Sequence, residues 1–410
     1  MQPHIHKKKI INDPVYGFVT IPAGLIFELI EHPLFQRLRR IKQLGLTNMV
    51  YPGALHTRFQ HVIGAMSLTV QAVDTLRSKG VEITDAEAEG VFAAVLLHDM
   101  GHGPYSHTLE HVLIRHVDHE EISLAFMQYL NREFKGRLDL AIQIFTNKYH
   151  KLFLHQLVSG QLDMDRLDYL RRDSFYTGVQ EGVIGHDRII NMLHVKQGEL
   201  VIEEKGIYSI EKFLIARRLM YWQVYLHKTV VAAETLLIRI LERAVYLAAR
   251  DETLFATPAF HSFLYHPVQR EEFFQDDKNL LQFSQLDDDD VFASIKVWTS
   301  HSDKVLSSLC SQLRNRQLPK TEISHEPFSQ ERVDALIAEV AVKQGISKEE
   351  ARYFVFTDSV MNKAYSPDGF TIQVAYRDGR ILDITSASDQ YNISALAKPV
   401  TKYFLCYPKK

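Results

Sequence analysis

Apolar residues recur three and four positions apart over most of the first two-thirds of the chain, the spacing of amphipathic helices. The pattern runs from residue 23 to about residue 250. Ile26, Leu29 and Ile30 begin it, and Phe35, Leu38 and Ile41 continue it. Residues 68–76 and 122–130 are expected to be further amphipathic helices, and one long helix is expected from Glu211 to about Arg250. Residues 91–97 carry only alanines between larger apolar residues, which predicts a helix buried on all sides. Two places break the helical texture. Residues 10–21 hold Asn12-Asp13-Pro14 and Gly17 before Phe18-Val19-Thr20-Ile21, a turn followed by a strand or hairpin. Leu200-Val201-Ile202, between Gly198 and Gly206, predicts a second small hairpin. Past about Glu326 the texture changes to a helix over residues 331–343 that leads to the apolar run Tyr353-Phe354-Val355-Phe356, and then to a hairpin around Asp378-Gly379. The expected architecture is mainly α, with small β-hairpins. Residues 1–325 form the core, and residues 326–410 a small α+β appendage.

With 410 residues, 46% of them apolar, the chain can bury a sizeable core in one large or two ordinary domains. A formal net charge of −3 excludes a global basic field for nucleic acid. Cys310 and Cys406 are the only cysteines, too few for a disulfide framework, so a cytoplasmic location is expected. No apolar run approaches the roughly 20 residues of a membrane span, so no membrane partner is expected. The basic residues 1–9 lack the apolar stretch of a signal peptide. The acidic run Asp287 to Asp290 reads as a solvated helix N-terminus, which carboxylates favour.

The buried helix at residues 91–97 runs directly into His98-Asp99, followed by Gly101, Gly103 and Pro104. Burying an imidazole and a carboxylate together is costly unless something compensates them, and a divalent metal does so. Neighbours on a helix point about 100° apart, so both reach one ion most easily at a helix end, which the glycines and proline supply. With His61, after Arg58-Phe59-Gln60, and Asp165, in the run Asp163 to Asp168, they make a mixed nitrogen and oxygen donor set that balances a +2 charge. That set suits Mn or Fe, with Mg, Zn or Ni as alternatives. A lone His-Asp pair is more often a capped helix end; the upstream Arg-Phe-Gln-His and the downstream acidic helix turn the reading towards a metal.

Other groups sit near these donors in the chain. His102 is four residues after His98 and shares its side if the helix persists. His107 lies three residues before Glu110; a carboxylate partner raises a histidine's pKa and suits a general acid. His119-Glu120 is a candidate brace for His102. Asp165, Tyr169 and Asp173 share one helix face. Arg217, Tyr221, Tyr225 and Lys228, at spacings of 0, 4, 8 and 11, form another single stripe, mixing cations and aromatics as suits a phosphate tail. Arg58 is near the metal by its spacing from His61, and Arg166 adjoins Asp165.

These motifs together resemble the HD-domain phosphohydrolases, and more narrowly the deoxynucleoside triphosphate triphosphohydrolases, whose animal members join a SAM domain to the HD domain. The matching segments include Asn12-Asp13-Pro14, Phe35-Gln36-Arg37-Leu38-Arg39, Lys42-Gln43-Leu44-Gly45, Tyr51-Pro52-Gly53-Ala54, Arg58 to His61, His98 to His107, His119-Glu120, Asp163 to Asp173 and Arg217 to Lys228. They span roughly residues 9–315. The resemblance implies an HD-domain helical core and metal-dependent hydrolysis of a dNTP to deoxynucleoside and inorganic triphosphate. It implies Arg58, Arg166 and Arg217 as triphosphate ligands, with Lys228 beside them. It makes Tyr169 and Asp173 holders of the sugar 3′-hydroxyl with Gln43 nearby, and Leu44 and Tyr225 a block at the 2′ position. It further implies a homo-oligomer, dimer or tetramer, with an activating nucleotide (GTP or dGTP) at Lys9, Asn12, Glu31, Gln36 and Arg39; the bland reading of Gln36, Arg37, Arg39 and Arg40 is an ordinary basic helix face. Competing functions are another HD-type nucleotide phosphohydrolase or phosphodiesterase, and a non-catalytic protein that binds nucleotides or single-stranded nucleic acid.

Overall fold

A computed structural model of the chain describes residues 9–106, 112–366, 369–390, 396 and 398–409. It opens with the expected hairpin, β1 (Lys9–Asp13) against β2 (Gly17–Ile21). Asp13 makes the turn by accepting the backbone N–H groups of Val15 at 2.8 Å and Tyr16 at 3.0 Å. Next come α1 (Leu25–Glu31) and α2 (Pro33–Gln36), separated at His32-Pro33 because proline cannot continue the first helix. The core comes next: α3 (Arg58–Ser78), α4 (Asp85–Leu97), a two-residue strand β3 (Ile114–Arg115), α5 (His119–Glu133), α6 (Asp139–Phe145), α7 (Leu152–Val158) and α8 (Met164–Thr177). A capping box starts α4, Thr84 and Glu87 bonding each other's backbone N–H. Its last turns, through Leu97, are buried as the unbroken apolar pattern requires. Helix α3 packs against both α4 and α8, so one end of each helix meets the others at a single point.

Beyond α9 (His186–Met192) lies the second expected hairpin, β4 (Leu193–Lys196) with β5 (Glu199–Glu203). The long helix expected from Glu211 to Arg250 is in fact two. Helix α10 (Ile207–Met220) widens into a π-turn at Tyr221–Tyr225, closed by Leu226 N–H on the Tyr221 carbonyl at 2.7 Å. The chain then breaks, and α11 (Lys228–Ala248) starts afresh, with the His227 ring accepting from Thr229 N–H. A wide turn of this kind adds a residue to the helix and rotates the residues beyond it. The single stripe from Arg217 to Lys228 therefore does not exist.

Small elements α12 (Pro258–Tyr265), β6 (Val268–Gln269), α13 (Arg270–Phe273) and α14 (Asp277–Phe283) lead to α15 (Asp288–Trp298) and α16 (Lys304–Arg314). The remainder holds β7 (Lys320–Ser324), α17 (Gln330–Gln344), α18 (Lys348–Ala351), β8 (Phe356–Asn362), β9 (Gln373–Ala375), β10 (Ile381–Asp383), α19 (Ile384–Ala387) and β11 (Val400–Tyr407). The hairpin expected around Asp378-Gly379 is β9–β10, and Gly379 takes a φ of 91° at its tip. Strands from both sides of residue 325 share sheets: β11 lies between β7 and β8, and β9 runs parallel to β5. One large cluster of buried apolar side chains extends from Val19 to Leu405. The fold is mainly α, as expected. No helix among the described residues is long and apolar enough to cross a membrane.

Candidate metal centre and adjoining cavity

His61 stands in the first turn of α3, where Gln60 accepts the Thr57 N–H at 2.8 Å and fixes the helix start. His98 ends α4 and Asp99 comes directly after it, while Asp165 occupies the first turn of α8. Donor atoms of His61, His98 and Asp99 all lie within 4.8 Å of one another. Asp165 joins them, its Oδ1 being 2.9 Å from His61 Nε2 and 3.6 Å from His98 Nε2. Four residues separated by up to about a hundred positions thus converge where three helix ends meet.

These residues suit a divalent metal. Each imidazole has its Nδ1 engaged: His61 with the Asp168 carboxylate at 2.7 Å, His98 with the Val95 carbonyl at 2.6 Å. That tautomer leaves both Nε2 lone pairs facing the carboxylates of Asp99 and Asp165. Both Nε2 atoms are buried, and neither makes a hydrogen bond of acceptable geometry. Burial opposes a charge on His61, but the neighbouring carboxylates of Asp165 and Asp168 outweigh it and push its pKa up to about 10. Such a concentration of negative charge calls for a cation. Burial likewise pushes Asp99 up, yet the Arg58 guanidinium, with His102 and His98, holds it well below the usual carboxylate range.

Asp168 has no role of its own in the sequence motifs, and the structure makes it the anchor of the centre. Fully buried, it binds His61 and also both Nε and Nη2 of Arg172 at 2.9 Å, and Arg172 continues to Asp13 at 2.8 Å. Gly64 makes room for this relay: a Cβ there would lie 2.0 Å from Asp168 Oδ1. The only sequence signal was the spacing Asp165, Asp168, Arg172 on one helix face.

The loop after His98 is braced from several sides. Helix α4 stops at Leu97, so His102 does not share a helix with His98, contrary to the expected four-residue spacing. Its Nδ1 is nevertheless 3.2 Å from Asp99 Oδ1, and its ring lies against His119 with centroids 3.9 Å apart. Burial, and then the Arg58 charge, hold His102 well below its usual pKa. Glu120 lines the cavity from its rim. Gly101 passes so close to α5 that a Cβ would fall 1.9 Å from the His119 carbonyl oxygen. Arg37, part of an ordinary basic helix face in the alternative reading above, is instead buried, donating to the carbonyls of Met100, His102 and Leu286. The acidic run is a helix N-terminus, as expected, but only partly solvated: Asp289 is exposed, while Asp287 and Asp288 are buried. Asp288 is 3% exposed and accepts the backbone N–H groups of Lys42 at 3.0 Å and Tyr105 at 2.8 Å, because α15 docks there. His107 and Glu110 lie outside the described residues.

A cavity of about 1090 Å³ adjoins the centre. His98, Asp99 and Asp165 line it together with Gln43, Leu44, Arg58, His102, His119, Arg166, Tyr169, Asp173 and Tyr225. Tyr169 meets Tyr225 edge-on, and the Tyr225 hydroxyl donates to Asp173 Oδ2 at 2.8 Å. The other Asp173 oxygen is held at 2.7 Å by His56, a buried residue that sequence reasoning missed. Arg58 pairs with Asp99 and donates to the Ser106 hydroxyl at 2.7 Å, and Arg166 pairs with Asp163. Arg217 is buried and Lys228 exposed; neither lines this cavity. Away from it, Lys9 bonds Glu31, Gln36 accepts from Arg39 at 2.7 Å, and Arg39 covers the Phe59 ring; Asn12 sits in β1 opposite Phe18.

The chain is similar to several known proteins. A family model described as the HD associated region matches residues 184–257. The crystal structure of a phosphohydrolase from Bacteroides thetaiotaomicron is similar with a TM-score of 0.95 at 56% identity, over 98% of this chain and 100% of that one. The Bacillus subtilis protein YwfO is 32% identical over 419 residues, 99% of this chain and 93% of that protein. Human deoxynucleoside triphosphate triphosphohydrolase SAMHD1 is 28% identical over 272 residues, 56% of this chain and 43% of that protein. A homologue of it from Dictyostelium discoideum is 30% identical over 239 residues, 54% and 46% respectively. The chain spans less than half the length of these last two relatives.

Proposed function

The chain belongs to the HD-domain phosphohydrolases, and from that premise we propose that it hydrolyses deoxynucleoside triphosphates to a deoxynucleoside and inorganic triphosphate. One observation carries the reading: a single cavity joins the His-Asp donor cluster to Arg58, Arg166, Tyr169, Asp173 and Tyr225. Its volume is at the upper end of small-molecule sites, as a nucleoside with three phosphates needs.

In this reading His61, His98, Asp99 and Asp165 hold a divalent ion, Mn or Fe by the donor set. When bound, that ion supplies Lewis acidity towards a phosphoryl oxygen and acidifies water. Water attacks the α-phosphorus, the bond to the 5′-oxygen breaks, and that oxygen leaves with a proton from His107, supported by Glu110. Arg58 and Arg166 neutralise the phosphate tail with forked hydrogen bonds. For Arg58 this means sharing its charge with Asp99. Asp173, already steadied by His56 and Tyr225, holds the 3′-hydroxyl with Tyr169, and Gln43 stands nearby. Leu44 and Tyr225 fill the space that a 2′-hydroxyl needs. His102, with His119 and Glu120 behind it, positions water. Nucleotide-driven assembly through Lys9, Asn12, Glu31, Gln36 and Arg39 extends the proposal, and sedimentation with and without GTP or dGTP tests that part.

The central test incubates the purified protein and Mn with each dNTP, alone and mixed, and resolves products by chromatography. Equal amounts of deoxynucleoside and tripolyphosphate are expected. Release of monophosphate or pyrophosphate in their place would assign the cavity to another phosphohydrolase reaction.

A further inference from the structure

His56 reaches Asp173 from the loop that carries Tyr51-Pro52-Gly53-Ala54. The loop presses on the end of α8: a Cβ on Gly53 would lie 2.4 Å from the Tyr176 carbonyl oxygen. That close approach delivers the His56 ring between two side chains of α8. The ring stacks on Tyr176, with centroids 4.4 Å and planes 18° apart, and its Nε2 lies 2.7 Å from Asp173 Oδ1. Tyr176 is itself fixed, its hydroxyl accepting from the Gln60 amide at 2.9 Å. His56 and Asp173 are each 1% exposed, so neither can exchange its partner for bulk water at no cost.

The carboxylate held in this way differs from the other buried acids nearby. Asp99 pairs with Arg58, Asp163 with Arg166 and Asp168 with Arg172. Asp173 has no arginine or lysine partner among the described residues; its oxygens take the His56 ring and, at 2.8 Å, the Tyr225 hydroxyl. Each carboxylate oxygen has two lone pairs, so one on each is left for a group in the cavity that Asp173 lines. Tyr225 alone would let the carboxylate turn about a single bond; the second contact, from His56, fixes its plane. His56 also sets Gln43, because its backbone carbonyl accepts the Gln43 N–H at 3.0 Å, next to the bridge between Lys42 and Thr57. Gln43 lines the same cavity, and its buried Oε1 meets no donor among the described residues. One residue thus places two polar groups with unused capacity, and a hydroxyl fits them: it can donate to a carboxylate and accept from an amide N–H₂.

We infer, resting on the dNTP reading above, that His56 is a positioning residue on which selection for the sugar 3′-hydroxyl depends: its ring aims Asp173, and its carbonyl places Gln43. His56 does not touch the sugar. A carboxylate only accepts, so the ring must carry its proton on Nε2, and Nδ1 is buried without a partner among the described residues. The ring therefore has one task, to hold Asp173 Oδ1. Without it the carboxylate keeps a single tether, and a nucleotide that carries the hydroxyl loses its advantage over one that lacks it.

The test compares wild type with His56→Asn and His56→Gln. A glutamine amide can put an N–H where Nε2 stands; asparagine, one carbon shorter, cannot. Steady-state KM and kcat are measured with a dNTP and the matching 2′,3′-dideoxynucleotide, and calorimetric Kd for Mn, the deoxynucleoside and the dideoxynucleoside. Wild type is expected to favour the dNTP. In His56→Asn its KM should rise roughly tenfold, about the worth of one hydrogen bond, with a smaller change in kcat. The dideoxynucleotide constants and the Mn Kd stay the same, so the preference falls roughly tenfold, and His56→Gln recovers most of it. A folded His56→Asn protein with the wild-type preference would overturn the inference, as would an equal loss with both nucleotides or a glutamine variant no better than asparagine. Should His56→Asn not fold, Tyr176→Leu removes only the stacked ring and is expected to lower the same preference about threefold; no change there would overturn the inference too. Wild-type protein that binds the deoxynucleoside more tightly than the dideoxynucleoside, in a way that His56→Asn abolishes, yet hydrolyses no dNTP would refute the hydrolytic reading and leave this one standing. Hydrolysis of dNTPs without preference for the 3′-hydroxyl would do the reverse. Wild-type protein that neither hydrolyses nor binds any of them would refute both.

Discussion

Asp168→Asn isolates the support of the metal centre from the centre itself. In the wild type one carboxylate oxygen takes the His61 Nδ1 proton at 2.7 Å, and the two oxygens together hold Arg172 at 2.9 Å. An asparagine of the same shape has one acceptor for these two demands and turns an N–H₂ group towards the other. Either His61 loses the partner that fixes its tautomer, or Arg172 loses half of its fork. Removing such an outer partner of a metal-bound histidine lowers metal affinity about 10–100-fold, or about 1.4–2.7 kcal/mol. A separate cost falls on the fold. Arg172 is fully buried, and breaking a buried ion pair costs about 3–5 kcal/mol; here the lower end is expected, because Asp13 still pairs with it at 2.8 Å. Calorimetric titration of metal-free protein with Mn, well below the melting temperature, separates the two effects, and thermal melting of the metal-free forms measures the second. Activity of the variant should return at high Mn. A folded Asp168→Asn protein whose Mn affinity stays within twofold of wild type would refute the relay from Asp13 through Arg172 and Asp168 to His61.

Three further outcomes are expected. Gly64→Ala puts a methyl group 2.0 Å from Asp168 Oδ1 and 2.2 Å from Arg172 Nη2; since both are locked, it should cost at least about 1–3 kcal/mol in urea unfolding and weaken Mn binding as well. Tyr225→Ala opens space beside Asp173 and should raise kcat/KM for ribonucleotides relative to deoxynucleotides by roughly tenfold, read from GTP and dGTP in parallel; an unchanged ratio would clear Tyr225 of that steric role. Burial alone would raise the Glu87 pKa, but the Thr84 N–H, the Tyr149 hydroxyl and the Lys151 ammonium bring it down from 4.5 to about 2. Its folded-state pKa is depressed, so its contribution is present above about pH 4.5 and fades as pH falls towards 2. Glu87→Gln should thus be less stable than wild type in denaturant unfolding at pH 7, with the gap narrowing at pH 3.

How much of the site was legible depended on whether its signal was local. The run of residues 91–97 into His98-Asp99 announced a buried helix ending in polar ligands, and α4 does so. Asp165, Tyr169 and Asp173 were placed on one face by helical spacing alone, and all three line the cavity. The stripe from Arg217 to Lys228 used the same logic and failed. Spacing assumes a continuous helix, and nothing local in Tyr221–Tyr225 marks a π-turn. The alternative reading of Arg37 as part of a basic helix face and the solvated reading of Asp288 both fail for a related reason. A charged residue in a polar stretch looks solvated unless one knows which backbone it will meet, here the carbonyls of Met100 and His102 and the N–H groups of Lys42 and Tyr105.

The amino-acid order alone determined the mainly helical character, the three hairpins and the identity of the four clustered donors. Those features arise from periodicity, turn residues and residue chemistry, which act over a few neighbouring positions. Tertiary packing decided which side chains stand behind the donors, where the helix after Met220 gives way, and that a loop histidine reaches Asp173. Each of these depends on elements far apart in the chain meeting at a fixed distance, and burial sets the energy of a polar group only once those neighbours are in place.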